Sequence, residues 1–362
     1  MKKIFFAILF SIFISSIFPV RAQGDTQRYF KAKVKFLKQK SVASDGVSGY
    51  KVFDIEVRPS DRKSASDTLL IENVGMLDHI SQKLKVGDEV VMVEDKSPDG
   101  TKSYSLVDFV RSDMLIILFL LFLVVVVVVA GRQGVLSFLG MIASFAILMG
   151  FLVPQIVSGN NPIIISLLAV MMIAPISFYL SHGLHKKTTI ALIGTFAALV
   201  ATTLLAALFI FLTRLSGFAS EEATFIQSFQ GDASKIQALV LAGIIIAGLG
   251  ILDDITVSQV SIVERLAKAR PDYDFWKLYR EAMVVGRDHI ASLVNTLILV
   301  YAGAALPLFI LFTNVKIGWM PALNNESIAT EIVRTLTTSI GLVLSVPLTT
   351  YFASRYFFKP KN

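Results

Sequence analysis

The sequence predicts an α-helical integral membrane bundle of about seven spans, preceded by a small all-β extracytoplasmic N-terminal domain. Two observations carry this prediction. Of the 362 residues, 54% are apolar and only 17% are charged, and the apolar residues cluster in blocks after residue 113. Each block is close to the roughly 20 residues that a helix needs to cross a bilayer. The blocks lie near 114–130, 135–153, 162–181, 189–212, 237–254, 289–312 and 333–354.

The N-terminus has the pattern of a secretory signal peptide. Lys2 and Lys3 precede an apolar run, and Ala22 follows it at a position typical of cleavage. Residues 1–22 are therefore predicted to be a signal peptide, and an uncleaved anchor helix is the alternative. In either case, the residues that follow would lie outside the cytoplasm.

Residues 24–112 have the composition of a soluble domain made of short strands. In "RYFKAKVKF", Phe30, Ala32, Val34 and Phe36 alternate with lysines, which predicts a half-buried strand with one basic face. The stretches "KVFDIEV", "DEVVMVE" and "YSLVDFV" also predict strands. About five short strands favour a small β-barrel or sandwich, such as an oligonucleotide/oligosaccharide-binding barrel. The lysine face is either a solvated surface or an anion-binding one.

Residues 113–362 are predicted to form the seven-span membrane domain, with the C-terminus in the cytoplasm. Basic residues concentrate in the loops that this topology places inside, as the positive-inside rule requires. These residues are Arg132, Lys186, Lys187, Arg265, Lys268, Arg270, Lys277, Arg280, Arg287, Arg355, Lys359 and Lys361, against Arg214, Lys235 and Lys316 in the outer loops. Membrane topology therefore accounts for the net charge of +7, and nucleic acid is not an expected partner.

The connection between spans five and six is long enough to hold a helix of its own. In "RPDYDFWKLYREAM", Phe275, Leu278, Tyr279 and Ala282 have helical spacing, and the charged side chains fall on the other side. This pattern predicts a basic amphipathic helix near 272–285 that lies on the inner leaflet.

Each of the last three spans carries polar side chains at helical spacing. Polar groups are costly in lipid, so these faces are predicted to turn toward one another and enclose a path that opens near Asp254 and Asp288. The stripes are Asp254, Ser258, Ser261 and Arg265, beside Asp253, Thr256 and Gln259; Asp288, Ser292 and Asn295, beside His289 and Thr296; and Glu331, Thr335, Thr338, Ser345 and Thr349.

Three long stretches carry a resemblance to a known family. The pieces "GILDDITVSQ", "GRDHIASLVNTLILVYAGA" and "EIVRTLTTSIGLVLSVPLTT", with "KVGDEVVMV" and "DFVRSD" upstream, resemble the YibE/YibF-like family of bacterial membrane proteins. The resemblance covers nearly the whole chain after the signal peptide. It implies a multi-spanning protein of the bacterial plasma membrane, and it implies no particular reaction or substrate.

The carboxylates in the spans allow two interpretations. Asp253 and Asp254 are either an interfacial pair that neutralises nearby basic residues or a site that binds a cation or relays protons. Asp288 is either a favourable charge at a helix start or part of the same site, with His289 as a titrating neighbour. Glu331 and Arg334 are spaced to pair with each other.

Enzymatic activity is not predicted. The intramembrane aspartyl protease signature needs Asp directly after Gly-x-Gly, but Gly248-Leu249-Gly250 is followed by Ile251. No metallopeptidase HExxH is present, no cysteine exists to act as nucleophile or metal ligand, and no cofactor is expected. The predicted function is a secondary transporter or channel for an ion or small solute. The alternative is a non-transporting scaffold or assembly factor whose β domain holds an extracytoplasmic partner. The expected partners are the lipid bilayer, an ion or small solute, and a second copy or another membrane protein.

The predicted topology can be tested by labelling single cysteines, since the chain contains none. We expect Ser228→Cys to react with an impermeant thiol reagent in intact cells, because the 213–236 loop is placed outside. Lys277→Cys should react only after the membrane is permeabilised. The reverse pattern would invert the topology.

Overall fold

The computed structural model describes residues 27–40, 50–59, 69–77, 83–96, 102–219, 233–314 and 318–358. The described residues form two units, one within Val20–Val125 and the other within Val126–Asn362. The predicted signal peptide, residues 1–22, lies outside the described residues.

The first unit contains a five-stranded antiparallel sheet, which confirms the predicted all-β character of this region. Its strands are β1 Gln27–Lys40, β2 Tyr50–Pro59, β3 Leu69–Leu77, β4 Glu89–Lys96 and β5 Lys102–Phe109. The sheet order is β3-β2-β1-β4-β5, and the edge strands β3 and β5 approach each other. The sheet therefore curls in the manner of a small, partly open barrel.

Strand β1 follows the predicted alternation only in its first half. Ala32 and Val34 are fully buried, but the pairing register with β2 shifts between Val34 and Phe36. This bulge reverses the alternation, because one extra residue moves the following side chains to the opposite face. Leu37 consequently packs on the sheet core, and Phe36 is 50% exposed. The prediction that Phe36 shares the buried face was wrong.

The second unit is helical, and six elements among the described residues are long and apolar enough to cross a membrane. They are Ser112–Val157, Pro162–His182, Lys186–Leu212, Lys235–Ala269, Phe275–Ala304 and Glu326–Phe357. The helices in chain order are α1 Ser112–Ile147, α2 Val153–Val157, α3 Pro162–His182, α4 Lys186–Leu212, α5 Ala233–Ala269, α6 Phe275–Ala304, α7 Leu306–Asn314, α8 Trp319–Leu323 and α9 Glu326–Phe357.

The first two predicted spans belong to one long, kinked element. A π-helical turn, Leu148–Leu152, joins α1 to α2, and the chain is continuous from Ser112 to Val157. Gly131 breaks α1 with φ 57° and ψ −137°, a backbone conformation that side chains with a Cβ rarely adopt. The break falls between the predicted spans 114–130 and 135–153.

Helices α5 and α6 are longer than the predicted spans. Helix α6 runs without interruption from Phe275 to Ala304, so the segment near 272–285 is its first half. This differs from the predicted separate amphipathic helix, and the reason is that Leu278 and Ala282 pack into the bundle core.

In the short turn before α6, the Arg270 guanidinium hydrogen-bonds Asp272 and lowers the pKa of that carboxyl to about 2.

The core of the bundle is formed by α4, α5 and α9, which pack against one another. Helix α3 packs on α5, and α6 packs mainly on α9. Two glycines set the close approach of α4 to α9. A Cβ at Gly341 would collide with Thr202 Oγ1, and one at Gly194 would collide with Thr349 Oγ1. Small residues at helix contacts bring backbones together in this way in membranes.

We expect Gly341→Ala to destabilise the bundle by roughly 1–3 kcal/mol, the range for overpacking a tight contact. Gly243→Ala is the matched control, because a Cβ there meets no atom within 4 Å and alanine favours the helix. Thermal unfolding in detergent measures both variants. Adding Thr202→Ala to Gly341→Ala should recover part of the lost stability, because it removes the hydroxyl and methyl that the new Cβ meets and leaves only the Thr202 Cβ at 3.0 Å. Equal effects of the two glycine substitutions would contradict the contact.

Candidate functional site

Buried polar side chains occur along the three core helices α4, α5 and α9, and we call this set the polar seam. All of its members are buried despite their hydroxyl or amide groups. They are Thr188, Thr195 and Thr202 on α4; Thr256 and Gln259 on α5; and Thr330, Thr337, Thr338, Ser339, Ser345, Thr349, Thr350 and Ser354 on α9.

The contribution of α4 to the seam was missed from the sequence. Thr188, Thr195 and Thr202 are seven residues apart, about two helical turns, and so they share one face. The signal was present in "TTIALIGTFAALVATT", but each threonine is separated from the next by six mostly apolar residues. A stripe this sparse does not stand out from an apolar span.

Many of the seam hydroxyls are satisfied within their own helix. Thr195 and Thr202 donate to the carbonyls of Ala191 and Ala198, at 3.1 and 2.8 Å, a common way to bury such residues in helices. Other buried groups have no partner among the described residues. These are the hydroxyls of Thr188, Thr330, Ser339, Thr349 and Ser354, Asp253 Oδ1 and Gln259 Oε1.

Asp253 joins three helices in a group that we call the Asp253 cluster: Ser177, Thr195, Asp253 and Thr256. Ser177 Oγ on α3 donates to Asp253 Oδ2 at 3.3 Å. Thr256 Oγ1 lies 3.1 Å from the Asp253 carbonyl and 2.8 Å from Thr195 Oγ1 on α4. The other carboxylate oxygen of Asp253, Oδ1, is buried and has no described partner. It is therefore available to bind a proton or to accept a hydrogen bond from a ligand.

Gln259 fastens α5 to the two helices that follow it. Its Nε2 donates to the Ala282 carbonyl on α6 at 3.1 Å and to Thr350 Oγ1 on α9 at 2.8 Å. Gly286 makes room for it, since a Cβ there would lie 3.0 Å from Gln259 Nε2. The side chain is fully buried, so this amide is a structural anchor of the seam.

The stripe predicted on α5 lies on the wrong side of the helix. Asp254 and Arg265 are exposed, and Ser258 and Ser261 are only half-buried. Asp254 and Gln259 are five residues apart, which places them roughly 140° apart around the helix. Asp254 instead lies within electrostatic range of His182 at the end of α3.

The stripe predicted on α6 also faces away from the core. Asp288, Ser292 and Asn295 are exposed, and His289 is half-buried with Nδ1 lacking a described partner. Asp253 points toward α3, whereas α6 packs on α9 and on the Gln259 side of α5. The predicted meeting of the α5 and α6 carboxylates is therefore not found.

A cavity lies between α5, α6, α7 and α9, and we call it the Arg334 cleft. Its volume is about 670 Å³, within the range of small-molecule sites. Arg334 donates to Glu331 Oε1 at 2.8 Å, and both side chains are about one-third exposed. The walls include Gly217, Ile236, Val240, Tyr301, Leu308, Ser327, Thr330, Glu331 and Arg334.

Two donors in the wall of the Arg334 cleft have no partner in the part of the chain that the structure describes. Arg334 Nε and Thr330 Oγ1 are buried and make no hydrogen bond to a described residue. Such groups cost free energy unless water or a ligand satisfies them. Thr335 belongs to the polar stripe predicted on the last span, and its hydroxyl donates to the Glu331 carbonyl at 2.7 Å. It lines a smaller, mainly apolar cavity of about 240 Å³.

A carboxylate near this cleft has a structural role that the sequence analysis did not assign. Glu326, in the first turn of α9, accepts hydrogen bonds from Ser216 N and Gly217 N, each at 2.7 Å. Gly217 has φ 91° and lies so close to the Ile236 carbonyl that a Cβ would not fit. This network ties the end of α4 to the starts of α5 and α9.

No group of three or more histidine, aspartate or glutamate side chains in the described ranges could hold a metal ion. The polar groups of the Asp253 cluster and the Arg334 cleft can bind a proton, an ion or a charged solute by hydrogen bonds and charge.

Comparison with known proteins places the helical unit in a family. The profile described as YibE/F-like protein matches residues 118–359, which include all three long stretches that carry the resemblance. The match does not include the β domain, although the sequence analysis extended the resemblance to it. The comparisons with curated proteins and with solved structures found no match. The match covers well over half of the chain, and the protein belongs to the YibE/F-like family.

Proposed function

We propose that this protein is a secondary transporter or channel that moves an ion or small solute along the polar seam. The observation that carries the proposal is the polarity of α9 over its whole length. From Thr330 at the cleft to Ser354, buried polar side chains recur every one or two turns, over about 36 Å of helix. This exceeds the roughly 30 Å of the hydrocarbon core, and an anchor helix does not need such a line.

The proposed topology has seven crossings of the bacterial plasma membrane, with the β domain outside and the C-terminus inside. Each half of the element Ser112–Val157, on either side of Gly131, is long enough to cross. The contacts support the directions of the later spans. Gly194 meets Thr349 and Thr202 meets Gly341, so α4 and α9 run antiparallel, as spans four and seven of this topology do.

The proposed solute is small and charged. In the Arg334 cleft, a guanidinium with an unpartnered Nε lies beside the carboxylate of Glu331, so the cleft offers both a cationic and an anionic contact. The volume of about 670 Å³ suits an amino acid or a similar molecule. With α9 running inward, this cleft lies at the outer end of the seam and serves as the entrance.

The Asp253 cluster is proposed as the coupling site for a proton or cation. It lies toward the cytoplasmic half of α5, and its buried Oδ1 lacks a described partner. Carboxylates within membrane spans mark such relays because their burial is costly without a function. In this proposal Asp253 replaces the predicted pair of Asp254 and Asp288, which lie outside the core.

The second candidate is the scaffold or assembly factor, and the surface of the β domain favours it. Phe36 is 50% exposed on a strand whose Lys31, Lys33, Lys35 and Lys38 are also exposed. An exposed aromatic among basic residues is suited to an acidic extracytoplasmic partner. This function needs no flux through the seam, so transport assays separate the two candidates.

Uptake into proteoliposomes tests the proposal, with a panel of inorganic ions and amino acids as solutes. Arg334→Gln should lower the uptake of the transported solute roughly tenfold or more, because a charged hydrogen bond is lost. Asp253→Asn should have a comparable effect at the coupling site. Asp254→Asn is the matched control: it removes the adjacent, exposed carboxylate and should leave uptake unchanged.

Monodisperse elution of each variant must accompany the uptake data, so that loss of flux is not loss of folding. If the wild-type protein moves no solute of the panel, the scaffold becomes the leading function. If Arg334→Gln transports as the wild type does, the cleft is not the entrance.

A further inference from the structure

Helix α6 is as polar as α9 but much less buried, so its polar side chains would face lipid. The most apolar 18-residue stretches of α6 and α9 have the same mean hydropathy. In α9, however, 50% of the residues in that stretch are buried, whereas in α6 only 11% are. The element Ser112–Val157 is also exposed, but it is far more apolar and lipid can cover it. Among the described residues, therefore, no polar environment covers the exposed face of α6.

The exposed face of α6 is a polar stripe directed away from the bundle. Leu293, Val294 and Leu297 pack against the core, whereas Ser292 and Asn295 are exposed on the other side. Thr296 bonds the Ser292 carbonyl at 3.0 Å, so its hydroxyl is satisfied. Asn295 forms no hydrogen bond with another described residue. An amide facing hydrocarbon without partners is costly.

We propose that a second copy of this chain covers this stripe and that the protein is a dimer with its twofold axis normal to the membrane. All copies are inserted with the same topology, so a given residue lies at the same depth in each. Across such an axis, Asn295 of one copy meets Asn295 of the other. An amide is both donor and acceptor, and two asparagines can bond each other at a helix interface.

The contact centres on Asn295, with Ser292 and Leu299 one turn to either side. Leu299 is 63% exposed and supplies apolar packing next to the amide pair. Asp288 lies seven residues from Asn295, about 10 Å along the axis. Crossing helices diverge over that distance, so the two aspartates remain apart and hydrated. The inference does not depend on the proposed transport function.

Cysteine crosslinking in membranes tests the dimer on the native cysteine-free background. We expect Asn295→Cys to give a disulfide-linked dimer on oxidation, because a twofold axis at this position brings the two Cα atoms within disulfide range. Ile298→Cys and Val300→Cys are the controls, since they are 46% and 61% exposed but lie on the flanks of the stripe. They should crosslink much less.

A second measurement avoids dependence on one variant. Light scattering in detergent should give a dimer for the wild-type protein, and Asn295→Leu should weaken its affinity roughly threefold to thirtyfold, the range for one interhelical hydrogen bond. A monomeric wild-type protein without an Asn295→Cys crosslink would overturn the proposal. Equal crosslinking at all three positions would indicate random collision and would overturn the proposed dimer. A crosslinked product whose mass differs from that of two copies would also overturn it, because a different polypeptide would then cover this face.

Discussion

The reciprocal contact between α4 and α9 is the constraint on which the helical unit depends. Each helix supplies a glycine that receives a threonine of the other: Gly194 faces Thr349, and Thr202 faces Gly341. Because neither glycine has a side chain, the two backbones approach closely and the threonine hydroxyls become buried. This approach also fixes the register, since sliding by one residue would drive a Cβ into a hydroxyl at both points.

The buried polar groups of the core follow from that register. Once α4 and α9 are fixed, α5 packs against both, and its Thr256 and Gln259 find partners on α4, α6 and α9. In lipid, a polar side chain is tolerated when it is bonded internally. Most of the seam hydroxyls meet this condition through their own helix. The exceptions among the described residues include several hydroxyls, such as those of Thr330 and Thr349, and the charged groups Asp253 and Arg334. Exceptions of this kind in a membrane core are candidates for function.

Composition and periodicity predicted the membrane helices well but not their orientation about their own axes. The spans near 162–181 and 189–212 match α3 and α4 to within a few residues. On α5, however, polar residues occupy two faces, and helical spacing alone gives no reason to prefer Gln259 over Asp254 as the inner one. That choice depends on Thr350 and Ala282, which are distant in sequence. The bulge after Val34 was similarly invisible, because it is defined by pairing with β2.

The two polar helices, α6 and α9, solve the same physical problem in different ways. Helix α9 packs against α4 and α5, and several of its buried hydroxyls donate to carbonyls of the same helix. Helix α6 touches the bundle along one side only, where Tyr301 lines the Arg334 cleft, and it presents Asn295 on the other side. Helix α6 is thus a wall of the Arg334 cleft that contacts the bundle on one side only. Contacts made at Asn295 from outside would change how firmly that wall is held, because the proposed dimer interface and the cleft share one helix. A solute that enters the cleft and a second copy that docks on α6 would then act on opposite faces of the same element.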